Sequence, residues 1–253
     1  MLEVRELTVS YGGTAALRAV DVTVAAGELR GIIGPNGAGK STLFAAVAGH
    51  LRPDSGSVWL SGTDMTRWAP HRRAAAGLGM VFQNAQVFPG MTVLENVMVG
   101  AYLQGRAGLV TSALRLPRQR REDTATRKVA MAVLERVGLA QYAADDAVGL
   151  PVGFQRMLQV ARALCGRPRL LLLDEPAAGL RAAEKAVLAG LLTDVHAQGM
   201  TMVLVEHDVA FVTGLADSLT ALVAGEVVAQ GPPAAVVADP SVRTAYLGSV
   251  HSP

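Results

Sequence analysis

Gly34-Pro35-Asn36-Gly37-Ala38-Gly39-Lys40-Ser41 decides the reading of this chain. Its two outer glycines, lysine and serine are spaced as in a loop that cradles phosphate groups. Glycines let the backbone wrap closely, so that Asn36, Gly37, Ala38 and Gly39 can turn N–H groups toward phosphate oxygens. A helix starting at Lys40 adds the positive end of its dipole. Lys40 brings a point charge for the β- and γ-phosphates, Ser41 a hard oxygen suited to Mg²⁺, and Thr42 falls beside the α-phosphate. Upstream, Leu29 to Ile33 is a short apolar run, so the loop sits between a strand and a helix, the context this pattern requires.

The second decisive stretch is Leu170-Leu171-Leu172-Leu173-Asp174-Glu175. Four apolar residues suit a buried central strand, and two carboxylates emerge at its C-terminal end, where ligands gather in open α/β sheets. Read alone, this is an acidic turn after a core strand. Downstream of a phosphate loop, Asp174 suits the Mg²⁺ shell and Glu175 is placed to polarise or position an attacking water. Val205-Glu206-His207-Asp208 ends a third apolar run, and His207 there can donate to the γ-phosphate or orient the water.

Around these sites the chain alternates strand and helix. Residues 2–9 alternate as a strand does, with Leu2, Val4, Leu7 and Val9 on one face, and Val20, Val22 and Val24 repeat the pattern. Gly12-Gly13 and Ala26-Gly27 mark turns. Leu51 to Gly56 reads as a turn and Ser57 to Leu60 as a strand. From about 88 to 166 the chain reads mainly as helices: Thr92 can cap one that carries Val93, Val97 and Leu103, and Arg127 to Val137 has helical spacing. Strand and helix then alternate through 170–173, 182–197 and 202–205, which predicts a mostly parallel sheet covered by helices.

Composition narrows the function classes. With 253 residues, 51% hydrophobic and 17% charged, the chain can bury a large core. The net charge is +2, from 23 basic and 21 acidic side chains, which gives no footprint for nucleic acid over the whole surface. Arg115, Arg118, Arg120 and Arg121 form a basic run; Glu122 and Asp123 beside them favour a solvated surface over a lipid or nucleic-acid contact. A single cysteine, Cys165, excludes an internal disulfide framework, fits a reducing setting, and in its apolar stretch reads as a buried small hydrophobe. No run reaches the roughly 18 apolar residues of a membrane span, and the opening residues lack a secretory pattern, so a soluble protein is expected.

With the phosphate loop, the Asp174-Glu175 pair and His207 in this order, the chain resembles the ATP-binding cassette family over nearly its whole length. The resemblance implies a P-loop NTPase (RecA-like) α/β core with an N-terminal antiparallel β subdomain and an inserted helical subdomain. It implies a single cassette over 1–253, with the core in 1–87 and 167–253 and the helical part in 88–166. ATP and Mg²⁺ are the implied cofactors. Tyr11 lies where the family stacks a ring on adenine, and Gln83 where a glutamine reaches Mg²⁺ and the attacking water. Leu150-Pro151-Val152-Gly153-Phe154-Gln155-Arg156 stands where the family has Leu-Ser-Gly-Gly-Gln, a segment that caps the γ-phosphate of a second cassette paired head to tail. Gly153 keeps a glycine N–H for that purpose; Pro151, with neither hydroxyl nor N–H, does not. Arg181 replaces a common aspartate after the catalytic pair.

Residues 88–100, 174–180, 205–208 and Ala245-Tyr246-Leu247-Gly248 look like the ATP-binding subunits of branched-chain amino-acid importers, a subgroup that includes urea and amide importers. The resemblance then implies integral-membrane permeases and a second cassette, the same or different, as partners. A periplasmic or lipid-anchored substrate-binding protein is an indirect one, and no nucleic acid is expected. The place implied is the cytoplasmic face of the membrane, held through the permease near Gln83 and Phe88; burial of Phe88 in the helical part's own core is the alternative. A cassette acting on DNA or the ribosome is the competing class, against which stand the single phosphate loop, the single cysteine and the lack of sustained heptads.

Overall fold

A computed structural model of the chain describes residues 1–83, 87–101 and 117–248, with side chains left aside at 117–122 and 247–248. Two sheets organise it. Strands β1 (Leu2–Tyr11), β2 (Thr14–Val24), β4 (Ser55–Leu60) and β5 (Thr63–Asp64) form an antiparallel sheet in the order β2-β1-β4-β5. Strands β3 (Leu29–Ile33), β6 (Leu78–Val81), β7 (Leu170–Asp174), β8 (Thr201–Val205), β9 (Ser218–Val223) and β10 (Glu226–Gly231) form the second, in the order β10-β9-β3-β8-β7-β6. All its pairings are parallel except the β9–β10 hairpin.

The central strands are mostly apolar because both of their faces are covered. Leu171 and Leu173 of β7 point into one core, with Leu29, Ile33, Met202 and Leu204. Leu170 and Leu172 point into the other, with Ile32, Val203 and the valines of β1 and β2. Helix α1 (Lys40–Ala48) joins the second core through Leu43, Phe44 and Val47. The first core runs into α3 (Val93–Val99), α4 (Pro117–Arg136) and α5 (Val152–Cys165), which pack on one another between β6 and β7 in sequence. Cys165 is buried at the end of α5, and burial raises its thiol pKa. Helix α6 (Ala182–Ala197) matches the expected 182–197.

Several elements depart from the sequence reading in their detail. Leu2, Val4, Leu7 and Val9 are all buried, yet the spacing steps from even to odd positions between Val4 and Leu7. A register shift there, with Glu6 at φ 46°, keeps both pairs on one face. Opposite it, β4 begins two residues earlier than expected, within the predicted turn, and only glycine fits at Gly56, where a Cβ would meet the Glu6 carbonyl at 2.4 Å. Thr92 caps α3 as expected, its side chain accepting from the Glu95 N–H while Glu95 accepts from the Thr92 N–H. Leu103 lies outside the described residues, as does Arg115; the side chains of Arg118, Arg120 and Arg121 lie outside them too. Helix α4, described over Pro117–Arg136, includes the stretch from Arg127 whose apolar spacing marks it as helical.

Candidate nucleotide site

The parallel register brings four loops to one edge of the sheet. The phosphate loop follows β3, Gln83 follows β6, Asp174 and Glu175 end β7, and His207 follows β8. Asp174 stands opposite Val205, and Val205 opposite Ile32, so the carboxylates, His207 and the start of the loop share one level. Glu175 takes a left-handed backbone, φ 44°, uncommon for a side-chain-bearing residue, and its N–H donates to the Val205 carbonyl at 2.9 Å.

The loop itself needs glycine at two points of close approach. A Cβ on Gly34 would sit 2.2 Å from the Leu222 carbonyl oxygen, and one on Gly39 would sit 2.7 Å from the Ala16 carbonyl oxygen. Gly39 is also the N-cap of α1, with φ 102°. No side chain caps that end and no acidic residue stands in its first turn, which leaves an uncompensated helix N-terminus for an anion. Asn36, Gly37 and Ser41 are exposed beside it, Thr42 is half-buried, and Ala38 is buried.

Lys40 is buried and donates to the Gly34 and Pro35 carbonyls at 2.6 and 3.0 Å. Burial lowers its pKa, while the charges of Glu175, Asp174 and Glu206 raise it in part. Asp174 carries the mirror-image shift: burial first, then the Glu175 and Glu206 charges, raise its pKa to about 6, and Lys40 opposes them. Gln83 Nε2 donates to Glu175 Oε2 at 2.7 Å. His207, with its side chain 57% exposed, places Nδ1 3.7 Å from the same oxygen, within electrostatic reach but beyond a good hydrogen bond. Gln83, Lys40, Asp174, Glu175 and His207 are therefore brought to one place.

Two expected residues lie apart from that cluster. Tyr11, 55% exposed, stands at the tip of the β1–β2 hairpin, opposite Thr14. Two residues beyond Thr14, the Ala16 carbonyl touches the Gly39 position, which puts that hairpin beside the phosphate loop. Gly153, in the first turn of α5, faces Glu184 instead: a Cβ there would lie 2.7 Å from the Glu184 carboxylate. Pro151 is the N-cap of α5 and supplies no side-chain bond, and the Phe154 ring lies 5.3 Å from the Tyr142 ring, within α5's own packing. Phe88, 42% exposed, is not buried in the helical core; Arg162 lies over its ring at 4.5 Å.

Sequence reading missed two buried charged groups at this edge. Glu206 is fully buried, and Arg156 on α5 is nearly so, donating to the Phe82 carbonyl at 3.1 Å, next to Gln83. A charged residue directly after an apolar run was the only available signal for Glu206.

Among the described residues, no cluster of three His, Cys, Asp or Glu side chains could hold a metal alone. One carboxylate, Asp174, with the Ser41 hydroxyl and the Gln83 amide suits Mg²⁺, which takes few protein ligands and completes its octahedron with phosphate oxygens and water. No helix among the described residues is long and apolar enough to cross a membrane.

Comparison with known proteins agrees with this geometry. Residues 17–178 match the family model described as ABC transporter, and residues 226–252 match that of the branched-chain amino acid ATP-binding cassette transporter. The chain is 34% identical over 249 residues to the high-affinity branched-chain amino acid transport ATP-binding protein BraF of Pseudomonas aeruginosa, covering 98% of each chain. It is 35% identical over 249 residues to the lipopolysaccharide export system ATP-binding protein LptB of Acidithiobacillus ferridurans, covering 98% of this chain and 97% of that one. Among solved structures, the ADP conformation of MJ1267, an ATP-binding cassette of an ABC transporter, superposes with a TM-score of 0.85 at 28% identity, over 98% of both chains.

Proposed function

The chain belongs to the ABC transporter family, and from that premise we propose that it is the ATP-hydrolysing subunit of an importer for branched-chain amino acids. Overall identity does not choose the direction of transport, since the export protein LptB is as similar as the branched-chain amino acid transport protein BraF. The observation that carries the importer reading is the match of residues 226–252 to the C-terminal model of branched-chain amino acid cassettes.

The site supports a division of labour for hydrolysis. Lys40 exchanges its bonds to the Gly34 and Pro35 carbonyls for β- and γ-phosphate oxygens. The N–H groups of 36–39 and the bare N-terminus of α1 hold the rest of the phosphate chain. Glu175 orients the attacking water and accepts its proton, with its carboxylate steered by the Gln83 amide. His207 faces the γ-phosphate from the neighbouring strand, and Tyr11 takes the adenine. Ser41, Asp174 and Gln83 would hold Mg²⁺, which neutralises phosphate charge as the bond to the leaving oxygen breaks.

Gly153 serves a second cassette. Its N–H, at the N-terminus of α5, caps the γ-phosphate held by a head-to-tail partner, the same chain or a different one. Closing on ATP moves the permeases, and hydrolysis resets them. In this reading 1–87 with 167–253 is the nucleotide core, and 88–166 is the lobe that carries Gly153. A groove of ≈ 370 Å³ between them, lined by His50, His71, Phe82, Val99 and Arg162, is suited to a short cytoplasmic helix of the permease. Phe82, 45% exposed at its rim, adjoins Gln83, so docking there reaches the catalytic edge. The subunit is thereby held on the cytoplasmic face of the membrane.

Uptake in cells carrying Lys40→Ala tests the reading. Selective loss of leucine, isoleucine and valine uptake supports it. Loss of urea or amide uptake keeps the motor and changes the cargo. No loss, with an expressed variant that binds no ATP, removes the importer reading. Pro151, Phe154 and Arg181, which depart from the family's pattern, favour a second reading, a hydrolysis-poor member of a mixed pair. A homodimer near the blank rate, rescued by a different cassette subunit, would support that one.

A further inference from the structure

Glu206 occupies the centre of the catalytic edge and has no role in the division of labour above. It is the first residue after β8 and its side chain is 1% exposed. Its Oε1 accepts the Ala177 N–H at 2.9 Å, and its Oε2 accepts the His207 N–H at 3.2 Å. Its own N–H donates to the Ile32 carbonyl at 3.3 Å, on the strand that leads into the phosphate loop. One buried carboxylate thus fastens the backbone two residues beyond Glu175 to the backbone of His207, and its main chain is fastened to β3.

Burying a carboxylate is expensive, yet both of its oxygens are used as acceptors here, and a glutamine of the same length would offer only one. The surroundings give the charge a use. Burial raises the Glu206 pKa, and its two N–H donors oppose that shift. Lys40 and Arg156 both have their cationic forms favoured by the Glu206 charge. Arg156 donates to the Phe82 carbonyl, beside Gln83, so the carboxylate faces the two cations that adjoin the phosphate loop and the Gln83 loop. Charge-assisted bonds to N–H groups are about twice as strong as neutral ones, which stiffens the two backbones against each other.

We propose that Glu206 is a positioning residue for ATP hydrolysis, whose carboxylate holds the loop after Glu175 and the backbone of His207 at a fixed separation. It acts through the backbone of its two neighbours and is given no part in the chemical step itself. It keeps the carboxylate that acts on the water and the imidazole that faces the phosphate in one frame, and it rests on the roles proposed above for Glu175 and His207.

The test compares Glu206→Gln and Glu206→Ser with Glu175→Gln, all in the full chain with Mg-ATP. Glutamine keeps the volume but turns an NH₂ group toward one of the two N–H donors, and serine is too short to reach Ala177. A misplacement of about 1 Å costs on the order of 100-fold in rate, so kcat is expected to fall at least tenfold in both variants. The KM for ATP and the ATP-dependent dimer of the Glu175→Gln background are expected to persist. Unchanged kcat in either folded variant would overturn the proposal. So would a fall in kcat that tracks loss of ATP binding or of the dimer, because that is a structural role. If Glu175→Gln itself hydrolyses ATP normally, the site reading fails and this inference fails with it. If Glu175→Gln stalls while Glu206→Gln is unimpaired, only the Glu206 proposal falls.

Discussion

Gln83 Nε2 reaches Glu175 Oε2 at 2.7 Å across 92 residues of sequence, from the loop after β6 to the end of β7. The bond gives the Glu175 carboxylate one orientation, and in the proposed mechanism its other oxygen takes the water. It also ties that carboxylate to the loop that adjoins the groove behind Phe82. General-base removal costs about 10²–10⁴ in rate, so Glu175→Gln is expected to bind ATP, form a stable dimer and barely turn over. Gln83→Ala should hydrolyse ATP at least about tenfold more slowly, since both the orientation of Glu175 and a ligand proposed for Mg²⁺ are lost. Steady-state ATPase rates and size-exclusion chromatography with and without ATP check both.

Asp174 gives a pH signature. Its carboxyl pKa of about 6 in the fold lies above the ordinary 3.8, chiefly through burial and then through Glu175 and Glu206. A raised folded pKa contributes stability that is full below the unfolded value and is lost as pH rises through the folded one. Metal-free protein at pH 7.5 therefore carries an unfavourable buried charge that Asp174→Asn removes. The variant is expected to melt a few degrees above wild type at pH 7.5, with the gap closing near pH 5. Thermal unfolding in EDTA at the two pH values checks this. An Asn variant that melts lower at both would mean that the carboxylate is stabilised by something other than the metal.

The chemistry-bearing residues were legible because each sits in a local pattern: a glycine loop between strand and helix, two acids after four leucines, a histidine after an apolar strand. Parallel order then did the rest, since β3, β6, β7 and β8 all end at one edge. What stayed hidden depends on non-local approach. Glu206 carries no local pattern of its own; it is buried beneath the loop after β7, whose Ala177 N–H it accepts. Residues 2–9 read as one unbroken alternation, which hides the register shift between Val4 and Leu7 that the opposing Gly56 makes room for. Arg73 stands in no pattern that the sequence marks, and the structure buries it to 1%.

Arg73 is a stability element. Its guanidinium donates to the Ala46 and Val47 carbonyls at the end of α1, both at 2.7 Å, and to the Thr66 and Trp68 carbonyls at 2.9 and 3.1 Å. Burial lowers its pKa to about 10, and the Asp64 charge opposes that shift. Removing the fork takes a donor from four carbonyls, of which Ala46 keeps the Gly49 N–H, at about 1–3 kcal/mol for each one left unsatisfied. Arg73→Met is expected to lower stability by about 3 kcal/mol or more in urea unfolding, and Arg73→Lys to recover less than half of that, because an ammonium cannot span four carbonyls. An Arg73→Met variant within about 0.5 kcal/mol of wild type would mean that water replaces the fork.

Gly153 separates folding from function. It lies in the first turn of α5, where alanine is favoured over glycine by up to about 1 kcal/mol. The atom that an added Cβ meets first is a Glu184 carboxylate oxygen at 2.7 Å, the far end of a flexible side chain that can swing aside. Gly153→Ala is therefore expected to melt at or above the wild-type temperature. Its effect should appear only in the assembled pair, where the partner's γ-phosphate must approach the α5 N-terminus closely. ATPase activity is expected to fall at least tenfold, about 1.4 kcal/mol at the transition state, and the ATP-dependent dimer of the Glu175→Gln background should weaken with it. Displacement of Glu184 is the competing cause, because its carboxylate also accepts the Arg181 N–H at 2.8 Å at the start of α6. The Gly153→Ala, Glu184→Ala double variant resolves the two. If crowding against Glu184 causes the loss, removing that side chain restores activity to the level of Glu184→Ala alone. If the methyl group blocks phosphate, the double variant is no better than Gly153→Ala, and the two effects add as independent sites do.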